Sequence, residues 1–168
     1  MKQTILVLAT IIALISCGDK KKAGTETNST ETKSSSKDES DSDKTASFTI
    51  DGTAFKGKIT TQNFEGGAKN FSVLCQQDDP FCLFQVVFAN EKEATGNGGL
   101  KPAGSFYNVE TGLASVTVSG TAVGAKEFTT TSSSPGTITV DGRKLIIKDL
   151  KLYDQDKKEK TVSGTFEY

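Results

Sequence analysis

Three cysteines, at positions 17, 75 and 82, are the soft nucleophiles of this 168-residue chain, and no histidine accompanies them. Without histidine neither a Ser–His nor a Cys–His pair can be assembled. Two thiols alone are too few for a structural zinc site. Carboxylates are what remains for catalysis. Asp78 and Asp79 are adjacent in a turn and point apart, whereas Asp149 and Asp154 fall near the end of a strand and in the turn that follows. Glycoside hydrolysis needs two acids held roughly 5–10 Å apart, and no tryptophan is present to stack a sugar. Asp154-Gln155-Asp156 begins like a calcium loop, but Lys158 occupies the next ligand position and the turn glycine is missing. These residues lead us to expect no catalytic set, no metal and no cofactor, with a carboxylate-dependent hydrolase as the remote alternative.

Cys75 and Cys82 have a different chemistry open to them. In an oxidising compartment an even pair reads as a disulfide. A hairpin centred between Asp78 and Asp79, with strands over 70–75 and 81–89, makes the two cysteines direct cross-strand partners. Directly opposed Cβ atoms lie about 4.5–5.5 Å apart and close to about 4 Å for a bridge. A loop this short gains about 2.5 kcal/mol in the chain-entropy description.

Strands must position these groups. From Ala46 onward the pattern is alternation bounded by turn residues, with no helical period. Phe71, Val73 and Cys75 share one face; Cys82, Phe84, Val86 and Phe88 share another; Ala114, Val116 and Val118 repeat the theme. Asp51-Gly52 and Asp141-Gly142 are tight hairpin signals. The alternation of Val162, Gly164, Phe166 and Tyr168 against Thr161, Ser163, Thr165 and Glu167 is that of a half-buried antiparallel strand. Eight to ten short strands in residues 46–168 predict an all-β domain, a single antiparallel sandwich or a small barrel. "FCLFQVVF" (Phe81 to Phe88) is apolar on both faces except at Gln85, which predicts a central strand. Residues 89–104, "ANEKEATGNGGLKPAG", are expected to form a long loop.

The amino-terminal residues are of another kind. Residues 1–16 have one lysine and then an apolar run, "ILVLATIIALI", with the proportions of a secretory signal. The run is shorter than the about 20 residues a membrane-spanning helix needs. It ends in Leu14-Ile15-Ser16-Cys17, which resembles the lipobox of bacterial lipoproteins. The resemblance implies that the Cys17 thiol receives a diacylglyceryl group, that the chain is cleaved before Cys17, and that the freed amine is acylated, with palmitate as a typical chain. Two or three acyl chains hold a protein on a membrane where one does so only marginally. Residues 17–45 contain Ala23 as the only apolar side chain after the cysteine. Such a segment is expected to be a disordered linker, with a mean reach of about 30 Å and a limit of about 90 Å.

The domain also resembles a group of small β-rich lipoproteins of Bacteroidetes-type bacteria whose function is unknown. "FTIDGTAF" near its start, "PAGSFYNV" (Pro102 to Val109), which is similar to that group's Gly-x-Tyr strand entry, and "GTITV" and "VSGTFEY" near its end carry the likeness. It implies a lipid-anchored all-β domain and no known activity. The formal net charge of −1 gives no global pull towards nucleic acid. The expectation is therefore a bacterial cell-envelope lipoprotein on the outer membrane, non-enzymatic, with a protein or glycan partner. The alternative is a calycin-like β-barrel carrying a small apolar ligand. The two part on whether the domain encloses a cavity.

Overall fold

The computed structural model describes residues 44–64, 70–104 and 107–168. The expected signal segment, Cys17 and the expected linker as far as Asp43 lie outside the described residues.

Among the described residues ten strands build the domain: β1 (Thr45–Ile50), β2 (Thr53–Asn63), β3 (Phe71–Gln77), β4 (Cys82–Phe88), β5 (Asn97–Pro102), β6 (Leu113–Gly120), β7 (Lys126–Thr129), β8 (Thr137–Asp141), β9 (Lys144–Tyr153) and β10 (Glu159–Glu167). Helix α1 (Glu91–Ala94) and a 3₁₀ turn at Thr121–Val123 complete it. Nine strands close into a barrel in the order β1-β2-β3-β4-β6-β5-β8-β9-β10, and β10 returns to β1. Closure removes the free edges that an open sheet would expose. The architecture is thus the barrel, not the sandwich.

All pairings are antiparallel except β5 with β6, which run parallel over Lys101–Leu113 and Pro102–Ala114. Residues 89–104 are therefore not a plain loop. Asn90 caps α1 by accepting the Glu93 N–H at 3.1 Å, and Asn97–Leu100 pairs with β8. In "PAGSFYNV", expected to lead into a strand, Pro102 instead ends β5, and Ala103, Gly104 and Tyr107–Val109 lie outside any strand before β6.

The wall divides around β7. Strand β6 pairs with β5 at its start and with β7 from Thr117 to Gly120. Strand β9 pairs with β8 as far as Lys148 and with β7 at Tyr153. A bulge in β9 makes the exchange. Lys148 and Asp149 together oppose Ser163, and Asp149 takes a left-handed φ of 48°. The extra residue bends the strand and shifts its inward set from Leu145 and Ile147 to Leu150 and Leu152.

The inward residues fill the barrel. Phe84 lies 4.9 Å, centroid to centroid, from both Phe48 and Phe166, and Phe48 lies 5.5 Å from Phe55. Offset and tilted aromatic pairs at these distances are favourable beyond their buried area. One end of the barrel is covered by α1, whose buried Ala94 carbonyl accepts the Tyr168 hydroxyl and whose Glu91 meets Arg143 at 3.2 Å. The other end carries the β1–β2, β3–β4 and β9–β10 turns. Asp51 and Gly52 both have positive φ, the tight hairpin form the sequence predicts. In the second hairpin the two loop residues are Gly142 and Arg143, because Asp141 still pairs with Lys144.

Strand β4 is central, between β3 and β6. Its outward Val87 is buried beneath Ala103, Val109 and Leu113 from the β5–β6 connection, which accounts for an apolar run on both faces.

Candidate functional site

Cys75 and Cys82 both point into the barrel, and both thiols are free. The expected disulfide rests on a register that the hairpin does not adopt. Cys75 faces Phe84, and Cys82 faces Gln77. The turn, residues 78–81, is centred between Asp79 and Pro80 rather than between Asp78 and Asp79, so the cysteines are diagonal neighbours across the ladder. Diagonal Cα atoms lie about 7–8 Å apart, beyond the usual span of a disulfide. Burial pushes both thiols up to about 11, and the Cys75 neighbour adds to the effect at Cys82. Neither is poised as a thiolate nucleophile at neutral pH.

At the turn end the carboxylates of Asp51, Asp154, Asp156 and Glu159 each meet a lysine. Lys126 Nζ lies 2.7 Å from Asp154 Oδ2 and 2.9 Å from Asp156 Oδ2. The other Asp154 oxygen accepts the backbone N–H groups of Asp156 (2.9 Å) and Lys158 (2.8 Å). In the segment that resembles a calcium loop, an ammonium group therefore sits in the fork of the two acids. The Lys126 hydrogen bond holds the Asp154 carboxyl below its ordinary range, although the side chain is only 5 % exposed. Asp51 accepts from Lys160 Nζ at 2.7 Å and from the Thr161 N–H at 2.9 Å. Burial pushes its carboxyl up most strongly, but those hydrogen bonds and the charges of Lys160 and Lys151 together carry it down. A general acid needs the opposite shift, upward towards working pH.

Asp149 lies on the bulge, its N–H donating to Ser163 Oγ at 2.8 Å, and Asp154 in the next turn is turned towards Lys126. Asp78 and Asp79 occupy the β3–β4 turn, as expected, and Asp78 Oδ1 accepts from Gln76 Nε2 at 2.9 Å. Among the described residues, no three His, Cys, Asp or Glu side chains are grouped to hold a metal ion.

Surface hollows also lie among the described residues, two of them of comparable size. One, of about 280 Å³, runs between α1 and β5 over Gly98, Gly99 and Leu100. The other, of about 350 Å³, lies beside Lys126, Asp154 and Asp156. Sequence reading missed the second hollow because Lys126 and Asp154 are 28 positions apart and meet only through the β6–β7–β9 pairing. Comparison of the chain with protein-family models, with curated proteins and with solved structures gives no match.

Proposed function

We propose that this protein is a non-enzymatic binding module of the bacterial envelope, held by acyl chains on Cys17 and engaging a macromolecular partner with the outside of its barrel. One observation carries the reading. Phe48, Phe84 and Phe166 occupy the interior in mutual contact, with centroids 4.9–6.1 Å apart, and Phe55 stacks on Phe48 at 5.5 Å. A barrel of this strand number has room either for its own side chains or for one small ligand, and here the phenyl rings take that room. The paired state of Asp51, Asp154 and Asp156 points the same way, since acids matched with lysines serve folding and charge balance. The residues between Cys17 and β1 give the domain its reach from the membrane.

Organic extraction of the lipidated protein purified from membranes, followed by mass spectrometry, tests this directly. The expected result is acyl chains on Cys17 and no stoichiometric apolar molecule from the barrel. A small apolar compound recovered at one per chain would replace this reading with the calycin-like carrier.

A further inference from the structure

Phe81 is a phenylalanine that the core does not use. It stands on the β3–β4 turn and is 40 % exposed, beside the fully buried Cys82. Among the described residues the other large exposed apolar side chains, Phe64 and Tyr107, border residues 65–69 and 105–106. Phe81 by contrast is held on a pinned frame. Its carbonyl accepts the Ala122 N–H at 3.0 Å and the Thr121 hydroxyl at 3.4 Å. Gln77 Nε2 donates to the carbonyls of Pro80 at 3.0 Å and Asp79 at 3.4 Å. Gly120 backs the turn so closely that a Cβ there would lie 2.4 Å from the Phe81 carbonyl oxygen and 2.9 Å from its ring. The turn is thus fixed from β3 and from the β6–β7 connection together.

The charges beside it also differ from those of four other acids at this end of the barrel. Asp51, Asp154, Asp156 and Glu159 each meet a lysine. Among the described residues no lysine or arginine pairs with Asp78 or Asp79. An aromatic side chain on an immobilised backbone loses little freedom on association. Large rings of this kind dominate interface energetics. Two uncompensated carboxylates beside the ring select the sign of the opposing surface.

We propose that the Asp78–Phe81 turn is a docking knob for a protein partner. The Phe81 ring enters an apolar pocket on that partner, and Lys or Arg side chains on the pocket rim face Asp78 and Asp79. This rests on the reading of the barrel as a surface-binding module and adds the site and the chemistry of the partner.

Photo-crosslinking in cells with p-benzoylphenylalanine tests it, using the full lipidated chain with the probe at position 81, at 64 or at 165. Position 81 is expected to give one discrete protein adduct whose linked peptide carries Lys or Arg. The Asp78→Asn/Asp79→Asn pair, or high salt, should cut its yield about tenfold. Phe81→Ala should unfold at the wild-type temperature yet leave purified partner uncaptured. Adducts from 64 or 165 but not from 81 would overturn the knob and leave surface binding standing. An adduct at 81 that ignores charge and salt, or that is lipid or glycan, would overturn the stated partner chemistry. Silence at every position would overturn both readings.

Discussion

Gly164 faces Phe48 across the β10–β1 pair with no room for a methyl group: a Cβ built there would lie 2.8 Å from Phe48 Cβ and 3.0 Å from a ring carbon of Phe166. The glycine is the notch into which two of the barrel's phenyl rings close. Gly164→Ala overpacks it, at a cost of about 1–3 kcal/mol. Phe48→Ala opens a void instead and costs about 3–5 kcal/mol. Thr165→Ala, on the exposed face next door, should stay within about 0.5 kcal/mol of wild type. Urea unfolding of the three variants orders them; a Gly164→Ala protein as stable as wild type would mean the rings are loosely packed.

The interior thiols make a prediction with a definite sign. Cys75 and Cys82, in a Cys17→Ser background, should resist a thiol reagent in the native state and both react in guanidinium. Folding holds them near 11, against about 8.5 in an unfolded chain. Between those values the unfolded chain releases protons that the folded one keeps, so stability falls as pH rises through the window. The Cys75→Ala/Cys82→Ala variant should show a shallower alkaline decline. Denatured protein without free thiols would establish a bridge in place of the thiols.

These residues show what the chain's pattern reveals and where it stops. Phe84, Val86 and Phe88 alternate with outward residues, and Asp51-Gly52 closes a hairpin, so strand, face and turn are legible locally. The cysteine register is not, because it depends on where the turn at 78–81 is centred. Strand β5 escapes for another reason: Asn97-Gly98-Gly99 offers no apolar alternation, and its place in the wall comes from the β8 ladder. In β9 the bulge at Asp149 changes the inward parity midway, so a single period-two reading assigns one half of the strand to the wrong face. Barrel closure itself depends on β9 meeting β10 and on β10 meeting β1, contacts far apart in sequence.

Lys126 is expected to govern part of the acid sensitivity. The Asp154 carboxyl is held low by Lys126 and by its backbone donors. Such a group stabilises the fold above the ordinary carboxylate value of about 3.9, and that contribution is lost as pH falls through the lower folded value. Lys126→Gln should therefore be less stable than wild type at pH 7, with the difference shrinking towards pH 2. Denaturation midpoints at the two pH values measure it, and an equal gap at both would show that Lys126 acts by packing alone.

Cys17 decides the cellular address in the proposed function. Metabolic labelling with palmitate should mark the wild-type chain and leave Cys17→Ser unmarked. The variant should then partition away from the membrane fraction, because its anchor is lost while residues 44–168 are unchanged. A Cys17→Ser protein that remains in the membrane after a high-salt wash would remove the lipid anchor from the reading.

Two buried hydroxyls on the barrel wall should behave in opposite ways. Thr130 is fully buried; its hydroxyl donates to the Ala103 carbonyl at 2.7 Å and accepts the Val116 N–H at 3.1 Å. It ties the β5–β6 connection to β6 at the point where β7 takes over as neighbour. Thr130→Val leaves a buried donor and a buried acceptor unpaired, at a cost of about 1–3 kcal/mol for each. Ser115, on the same strand as Val116, is just as buried, and its Oγ has no hydrogen-bond partner. Ser115→Ala removes a polar atom that the fold leaves unsatisfied, so it should be neutral or stabilising. Thermal unfolding of the two variants separates the roles. A destabilised Ser115→Ala would mean that a bound water completes the Ser115 hydroxyl, and the seam between β4 and β6 would then be held by solvent as well as by side chains.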